Sequence, residues 1–102
     1  MPNYYNDSIE QLYQAIASIQ SAEECRAFLE DLCTIKEILD MAQRFETAIL
    51  LDQGYSYQKI SEKVGISSAT IGRVSRALTY GSNGYRKAID RMGKGEEKDG
   101  DQ

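Results

Sequence analysis

The chain has 102 residues, of which 41% are hydrophobic and 27% charged, and its formal net charge is −4. This length favours one small domain with a single core, and no apolar run approaches the roughly 18 residues that a membrane-spanning helix needs. The chain contains no histidine, the commonest general base and zinc ligand, and no spacing of its carboxylates or serines is typical of catalysis. We therefore predict neither an enzyme, nor a metal site, nor a membrane segment.

The cysteine content points to a reducing environment. Cys25 and Cys33 lie eight residues apart within one predicted helix. Disulfide frameworks normally use more cysteines in a secreted chain, so both residues are interpreted as reduced, small hydrophobes. No signal peptide opens the sequence, and the expected location is the cytoplasm.

Helical spacing of apolar residues recurs along the chain, and no strand pattern is present. Residues 1–8 lack a helical period, so we expect a loose arm there, followed by a helix with Asp7 or Ser8 as its N-cap. The segments SAEE (21–24) and TIKE (34–37) have the spacing of capping boxes. They predict the starts of a second and a third helix.

The third helix is expected to run to Gln53, because Gly54 supplies the left-handed stop that helices favour. Its apolar residues cover more than one stripe, and they are Ile35, Ile38, Leu39, Met41, Ala42, Phe45, Ala48, Ile49, Leu50 and Leu51. A surface helix needs only one stripe, so this breadth indicates burial on two sides. Another subunit is the favoured second side, and the chain's own helices are the alternative.

The C-terminal part of the chain is predicted to hold a turn over 80–84 and a short helix containing Tyr85, Ala88, Ile89 and Met92. Residues 93–102 contain no apolar side chain and several glycines, which predicts a disordered charged tail. The chain is thus predicted to be all-α, with a single helical domain over 1–92.

The charge is unevenly distributed. Residues 1–53 carry three basic and ten acidic side chains, whereas residues 54–92 carry seven basic and two acidic ones. A division of this kind indicates a half that faces a polyanion.

Residues 57–78, YQKISEKVGISSATIGRVSRAL, match a helix-turn-helix in their spacing. This motif packs two short helices around a tight turn, and we place it at about 57–80. Gly65 occupies the place that needs positive φ, and Ser56 and Ser67 are predicted N-caps. The side chains expected inside are Ile60, Val64, Ile66, Ile71 and Val74. The one departure is Ser61, where alanine is usual.

The alternative is two ordinary amphipathic helices separated by a glycine C-cap. Six positions that match together favour the helix-turn-helix over that alternative.

The outer face of the motif is small, polar and basic, which is typical of DNA binding. Small side chains at the start of the second helix let the backbone approach base edges, and Arg73 and Arg76 can pair with phosphate or guanine. Polar and basic side chains of the first helix suit contacts to the DNA backbone. The predicted DNA-binding residues are Gln58, Lys59, Ser61, Lys63, Ser67, Ser68, Ala69, Thr70, Gly72, Arg73 and Arg76.

With these residues in view, the chain resembles the tryptophan repressor family, in particular its TrpR-related YerC/YecD branch. The resemblance runs from about Leu32 to Leu78, through TIKEILDMAQRFETAILLDQG and SEKVGISSATIGRVSRAL. It implies an intertwined helical homodimer in which the long central helix is shared across the interface. It also implies two recognition helices about one DNA turn apart, and hence a roughly palindromic site.

The resemblance further implies a candidate site for a small-molecule corepressor at Arg44, Arg73 and Thr34, the last from the other subunit. Two departures argue against tryptophan itself as the ligand. Val74 replaces a glycine beside the place where the indole of tryptophan would lie. Asp31 replaces a leucine near the place of the tryptophan amino group.

We therefore predict a cytoplasmic, homodimeric regulator of transcription, most simply a repressor, which binds double-stranded DNA. The small-molecule corepressor is the one candidate ligand, and no other cofactor is predicted. The alternative is a helical dimeric module that uses the same motif to hold another protein and does not bind DNA.

Overall fold

The computed structural model describes residues 5–93 and contains six α-helices, with no strand among these residues. The helices are α1 (Asp7–Ala17), α2 (Ala22–Leu32), α3 (Ile35–Asp52), α4 (Tyr57–Val64), α5 (Ser68–Tyr80) and α6 (Gly84–Met92). The all-α prediction is confirmed. The chain divides into two compact units, one up to Ile38 and the other from Leu39 onward. The predicted domain limits remain predictions, and residues 94–102 of the expected tail lie outside the described residues.

Side-chain caps start the helices of the first unit. Asn6 caps α1, since its side chain accepts the Ile9 N–H at 3.0 Å. The sequence prediction of Asp7 or Ser8 as N-cap was wrong, because the helix already includes both residues. Of the predicted arm, residues 1–4 lie outside the described residues. An asparagine side chain serves this purpose as well as aspartate or serine does, so composition alone could not choose among the three.

The predicted capping box at Thr34 is present in full, and the one at Ser21 is present in part. Thr34 accepts the Glu37 N–H at 3.1 Å, while Glu37 accepts the Thr34 N–H at 2.8 Å. Ser21 likewise accepts the Glu24 N–H at 3.0 Å. The Glu24 carboxylate, however, accepts the N–H of Gln20, one residue before the cap. At both helix starts these bonds satisfy amide groups that would otherwise have no partner.

The C-terminus of α3 is closed at Gly54, as predicted, with φ at +96°. The Gly54 N–H donates to the Leu51 carbonyl at 3.1 Å, and the Tyr55 N–H donates to the Leu50 carbonyl at 3.0 Å. This pair of bonds is a Schellman motif. It turns the chain sharply from α3 toward α4.

Two apolar clusters form the core of the second unit. In one, Ala48 of α3 packs with Val74 of α5 and Ile89 of α6. In the other, Leu50 of α3 packs with Ile60 of α4 and Ile71 of α5. Since α3 and α5 supply side chains to both clusters, α5 is held against α3 along two stretches.

An ion pair between Arg86 and Asp52 links α6 to the end of α3. Arg86 Nη2 donates to Asp52 Oδ1 at 2.6 Å, and the Asp52 side chain is only 11% exposed. The hydrogen bond to Asp52 raises the pKa of the Arg86 guanidinium above its usual value. Arg86 thus remains cationic and is committed to this internal contact.

Candidate nucleic-acid interface

The helix-turn-helix bend lies at Gly65, as predicted. Gly65 has φ +82° and ψ +33°, and its N–H donates to the Ser61 carbonyl at 2.9 Å. Only Gly65, Ile66 and Ser67 separate α4 from α5. A left-handed residue at this point ends α4 and lets α5 start in a new direction.

Hydroxyl caps start both helices of the motif. Ser56 accepts the Lys59 N–H at 3.2 Å, and Ser67 accepts the Thr70 N–H at 3.2 Å. Each cap satisfies one amide at the helix start. The remaining amides at the start of α5 stay near the exposed Ser67 and Ser68, where an anion would be stabilised.

The inner face of the motif is apolar and buried. Ile60 and Ile71 are fully buried, and Val74 is 3% exposed. Val64 and Ile66 are half-buried and pack against the cluster that contains Ile60 and Ile71. These five side chains were the ones predicted to lie inside.

The outer face of α5 combines exposed small residues with two arginines. Ser67, Ser68, Ala69, Arg73 and Arg76 are exposed, whereas Thr70 and Gly72 are half-buried. Among the described residues neither arginine forms an ion pair with a carboxylate. Both guanidinium groups are therefore available to an external anion.

Hydroxyl groups organise one edge of this face. The Thr70 hydroxyl lies 3.1 Å from the Ser67 hydroxyl, within hydrogen-bonding distance. Arg73 Nη2 donates to Thr70 Oγ1 at 3.4 Å. The sequence prediction grouped these residues by position but could not show that they contact one another.

Gly72 lies in the middle of α5, and no atom lies within 4 Å of the place where a Cβ would stand. Glycine in a helix interior costs about 0.5–1 kcal/mol relative to alanine. Packing within this chain therefore gives no reason for a glycine here. A close approach from outside would supply one.

The predicted contacts from α4 divide into two groups. Gln58, Lys59 and Lys63 are exposed, and the Lys63 ammonium lies 5.5 Å from the centre of the Tyr55 ring. Ser61 instead turns inward, and its hydroxyl donates to the Ile66 carbonyl at 2.8 Å. The structure thus gives Ser61 a role inside the turn that the sequence did not reveal.

A cavity of 610 Å³ adjoins the start of α5. The two arginines of the candidate effector site, Arg44 and Arg73, both line it. Thr34 belongs to the first unit, where it caps α3, and its part in an effector site remains a prediction. The other lining residues are Asp40, Gln43, Ile66, Ser67, Thr70, Val74, Ala77 and Tyr85.

Sequence reasoning missed Asp40, Gln43 and Tyr85 as parts of this cavity. Asp40 lies one helical turn before Arg44, a spacing that could have identified it. Tyr85 is 41 residues from Arg44 in sequence, and only the packed fold brings its ring against Phe45, with centroids 6.4 Å apart. No sequence pattern predicts that contact.

Neither a metal centre nor a membrane helix appears in the described part of the chain. Residues 5–93 contain no group of three or more side chains suited to hold a metal ion. None of the six helices combines the length and apolarity that a membrane crossing requires. Cys25 and Cys33 are half-buried free thiols.

The fold and the exposed basic face define a helical protein that carries a helix-turn-helix. A profile of the Trp repressor protein family matches residues 7–93, so the chain belongs to the Trp repressor family. This is a family of the DNA-binding regulator type and not a family of enzymes. The resemblance inferred from the sequence is confirmed.

Individual relatives agree with this assignment. The uncharacterized protein YerC of Bacillus subtilis (strain 168) is 48% identical over 84 residues, which cover 82% of this chain and 81% of YerC. The crystal structure of a TrpR-like protein from Eubacterium eligens ATCC 27750 matches with a TM-score of 0.85 and 47% identity, over 90% of this chain and 95% of that one. A proposed Trp repressor from Staphylococcus aureus matches with a TM-score of 0.83 and 38% identity, over 89% and 91% of the two chains.

Gly65→Ala tests the bend directly. The substitution places a Cβ on a left-handed residue, and we expect the free energy of unfolding to fall by about 1–2 kcal/mol. No atom lies within 4 Å of the new Cβ, so the loss reflects backbone strain and not a clash. Urea unfolding measures the change. Gly65→Asn is the matched control, because asparagine tolerates this conformation and should lose less. Equal stability of the alanine variant and the wild type would contradict a left-handed Gly65.

Proposed function

We propose that this protein is a sequence-specific DNA-binding regulator of transcription that represses by occupying its site. The observation that carries the proposal is the exposed face of α5, where Ser68, Ala69, Arg73 and Arg76 lie free of carboxylate partners among the described residues. Small residues at the helix start admit the backbone to base edges, and the arginines suit phosphate or guanine. We propose the cytoplasm as its location, in keeping with DNA as the partner.

The charge distribution supports this use of α5. The predicted surface also includes Lys59 and Lys63 of α4, both exposed. Arg86 is held by Asp52 and so contributes little to an external contact. Neutralised phosphates release counterions, and DNA affinity should fall linearly with salt on logarithmic axes.

We propose that the functional unit is a homodimer. Neither α1 nor α2 contains a buried residue. Large apolar side chains are also exposed in and beside α3, with Ile35 at 78%, Leu39 at 57% and Leu32 at 51%. Apolar surface of this kind typically marks a protein contact. A second copy that covers these side chains would account for the broad apolar coverage of α3 and would present two recognition helices to a roughly palindromic site.

The cavity beside α5 is the proposed site of a small-molecule effector. Arg44 and Arg73 would attract an anionic group, and Arg44 forms no ion pair within residues 5–93. The branched side chain of Val74 lies in the cavity wall and packs against Ala48 and Ile89. This bulk supports a ligand other than tryptophan.

One observation favours a different function. Ten of the sixteen acidic side chains lie in residues 1–53, and such a surface repels DNA. The second candidate is therefore a dimeric module that holds another protein through the same motif.

Selection of bound duplexes from a random pool separates the two functions. The selection is run with and without aromatic amino acids, and the affinity for an enriched duplex is then measured by fluorescence anisotropy over a range of salt concentrations. An enriched, roughly palindromic site with steep salt dependence is the expected result. A pool that stays unenriched at low salt would favour the protein-binding module.

Arg76→Ala is expected to weaken DNA binding by about fivefold to a hundredfold. If Arg76 contacts phosphate, the loss is uniform across sequences and the salt slope becomes shallower; if it reads guanine, the choice at one base pair relaxes. Arg26→Ala, in the acidic half, is the matched control and should leave affinity unchanged. Unchanged affinity and unchanged base preference in the Arg76 variant would remove this residue from the interface.

Gly72→Ala should separate stability from binding. Alanine raises the free energy of unfolding by about 1 kcal/mol, because it favours the helix and meets nothing within the chain. The same methyl group would stand between α5 and the DNA that is proposed to approach it closely at Gly72, so affinity for the selected duplex should fall. Thr79→Ala, at an exposed position near the end of α5, is the control that raises helix propensity without loss of binding. A Gly72 variant that binds DNA as well as the wild type would show that nothing approaches α5 at this point.

An obligate dimer should unfold at a midpoint that depends on protein concentration. Mass action links folding to association, so the midpoint should rise as the concentration is increased. Thermal unfolding followed by circular dichroism over a hundredfold range of concentration measures this. A midpoint independent of concentration, together with a monomeric mass in sedimentation, would contradict the homodimer.

A further inference from the structure

The carbonyl groups around Gly65 are held by side chains. The Ser61 hydroxyl donates to the Ile66 carbonyl at 2.8 Å, while the Ser61 carbonyl accepts the Gly65 N–H at 2.9 Å. Ser61 of α4 therefore bonds both to the N–H of the left-handed glycine and to the carbonyl of the residue after it. In most helices a serine hydroxyl donates backward to the carbonyl one turn earlier. Here it reaches five residues forward, into the segment that starts α5.

A second, longer contact ties the turn to α3. Gln43 Nε2 donates to the Val64 carbonyl at 3.4 Å. The backbone carbonyl of Gln43 accepts a hydrogen bond from the hydroxyl of the fully buried Thr47 at 2.8 Å, so the backbone from which Gln43 extends is held in the core. The last carbonyl of α4 is thus linked to the helix that carries both core clusters.

These contacts hold the segment that leads into α5. Ser67 caps α5 directly after Ile66, so the carbonyl held by Ser61 is the last group before the cap. Gln43 and Ile66 also line the 610 Å³ cavity. Any occupant of that cavity would therefore meet a turn that the protein's own side chains already hold.

We propose that Ser61 and Gln43 are positioning residues that hold the start of α5 in the orientation in which it binds DNA. This inference rests on the proposed DNA-binding function. It assigns Ser61 to the turn in place of the predicted contact with DNA backbone.

Ser61→Ala is the direct test, because alanine is common at this place in the motif and removes only the hydroxyl. We expect hydrogen exchange of the Gly65 amide to become about fivefold to tenfold faster, as loss of one hydrogen bond implies. The thermal midpoint should change little, since the higher helix propensity of alanine offsets the lost bond. Affinity for the selected duplex should fall in proportion to the loss of the binding-competent orientation, by at most the same factor. Ser61→Thr retains a hydroxyl and should restore both values, and Ser75→Ala is the control for removal of a serine elsewhere in the motif.

Gln43→Met tests the longer contact in the same assays, with a smaller increase in exchange expected. Equal Gly65 exchange in wild type and the Ser61→Ala variant would overturn the positioning role, whatever the DNA result. Faster exchange in the variant, with no DNA binding by the wild type, would overturn the proposed function and support the positioning role.

Discussion

Burial of Ile71 and Val74 against α3 determines what α5 can present to its surroundings. Ile71 belongs to the cluster that contains Leu50, and Val74 belongs to the cluster that contains Ala48. Both side chains lie on the same side of α5, three residues apart, so the opposite side must face outward. Each buried side chain of this size contributes about 1.5–3 kcal/mol. The exposure of Arg73 and Arg76 is therefore a consequence of the core and not an independent feature of the surface.

The same constraint explains why the bend requires so few residues. Once α5 is held against α3, the chain between Val64 and Ser68 has only to change direction, and the left-handed Gly65 allows this within three residues. Ser61 and Gln43 then bond to the carbonyl groups that the bend leaves without helical partners. Carbonyl groups that would otherwise be half-buried without a partner are satisfied, and the turn is stabilised by the same contacts.

Much of this arrangement was predictable from local sequence. The helix-turn-helix positions, the two capping boxes and the stop at Gly54 each depend on residues within about five positions of one another, where the backbone geometry relates spacing to contact. What could not be predicted depends on pairs far apart in sequence or on the direction of one bond. The Arg86–Asp52 ion pair spans 34 residues, and the cavity wall joins Gln43 to Tyr85. Serine at position 61 was recognised as small, but its spacing gives no sign of which acceptor its hydroxyl reaches.

Contact between the outer face of α5 and DNA can be observed by an NMR titration of labelled protein with a selected duplex. We predict that amide shift changes concentrate between Gln58 and Arg76, strongest at the start of α5, and that α1 and α2 change little. Shift changes confined to α1 and α2, with the amides of Ser67 to Arg76 unmoved at saturating duplex, would contradict it.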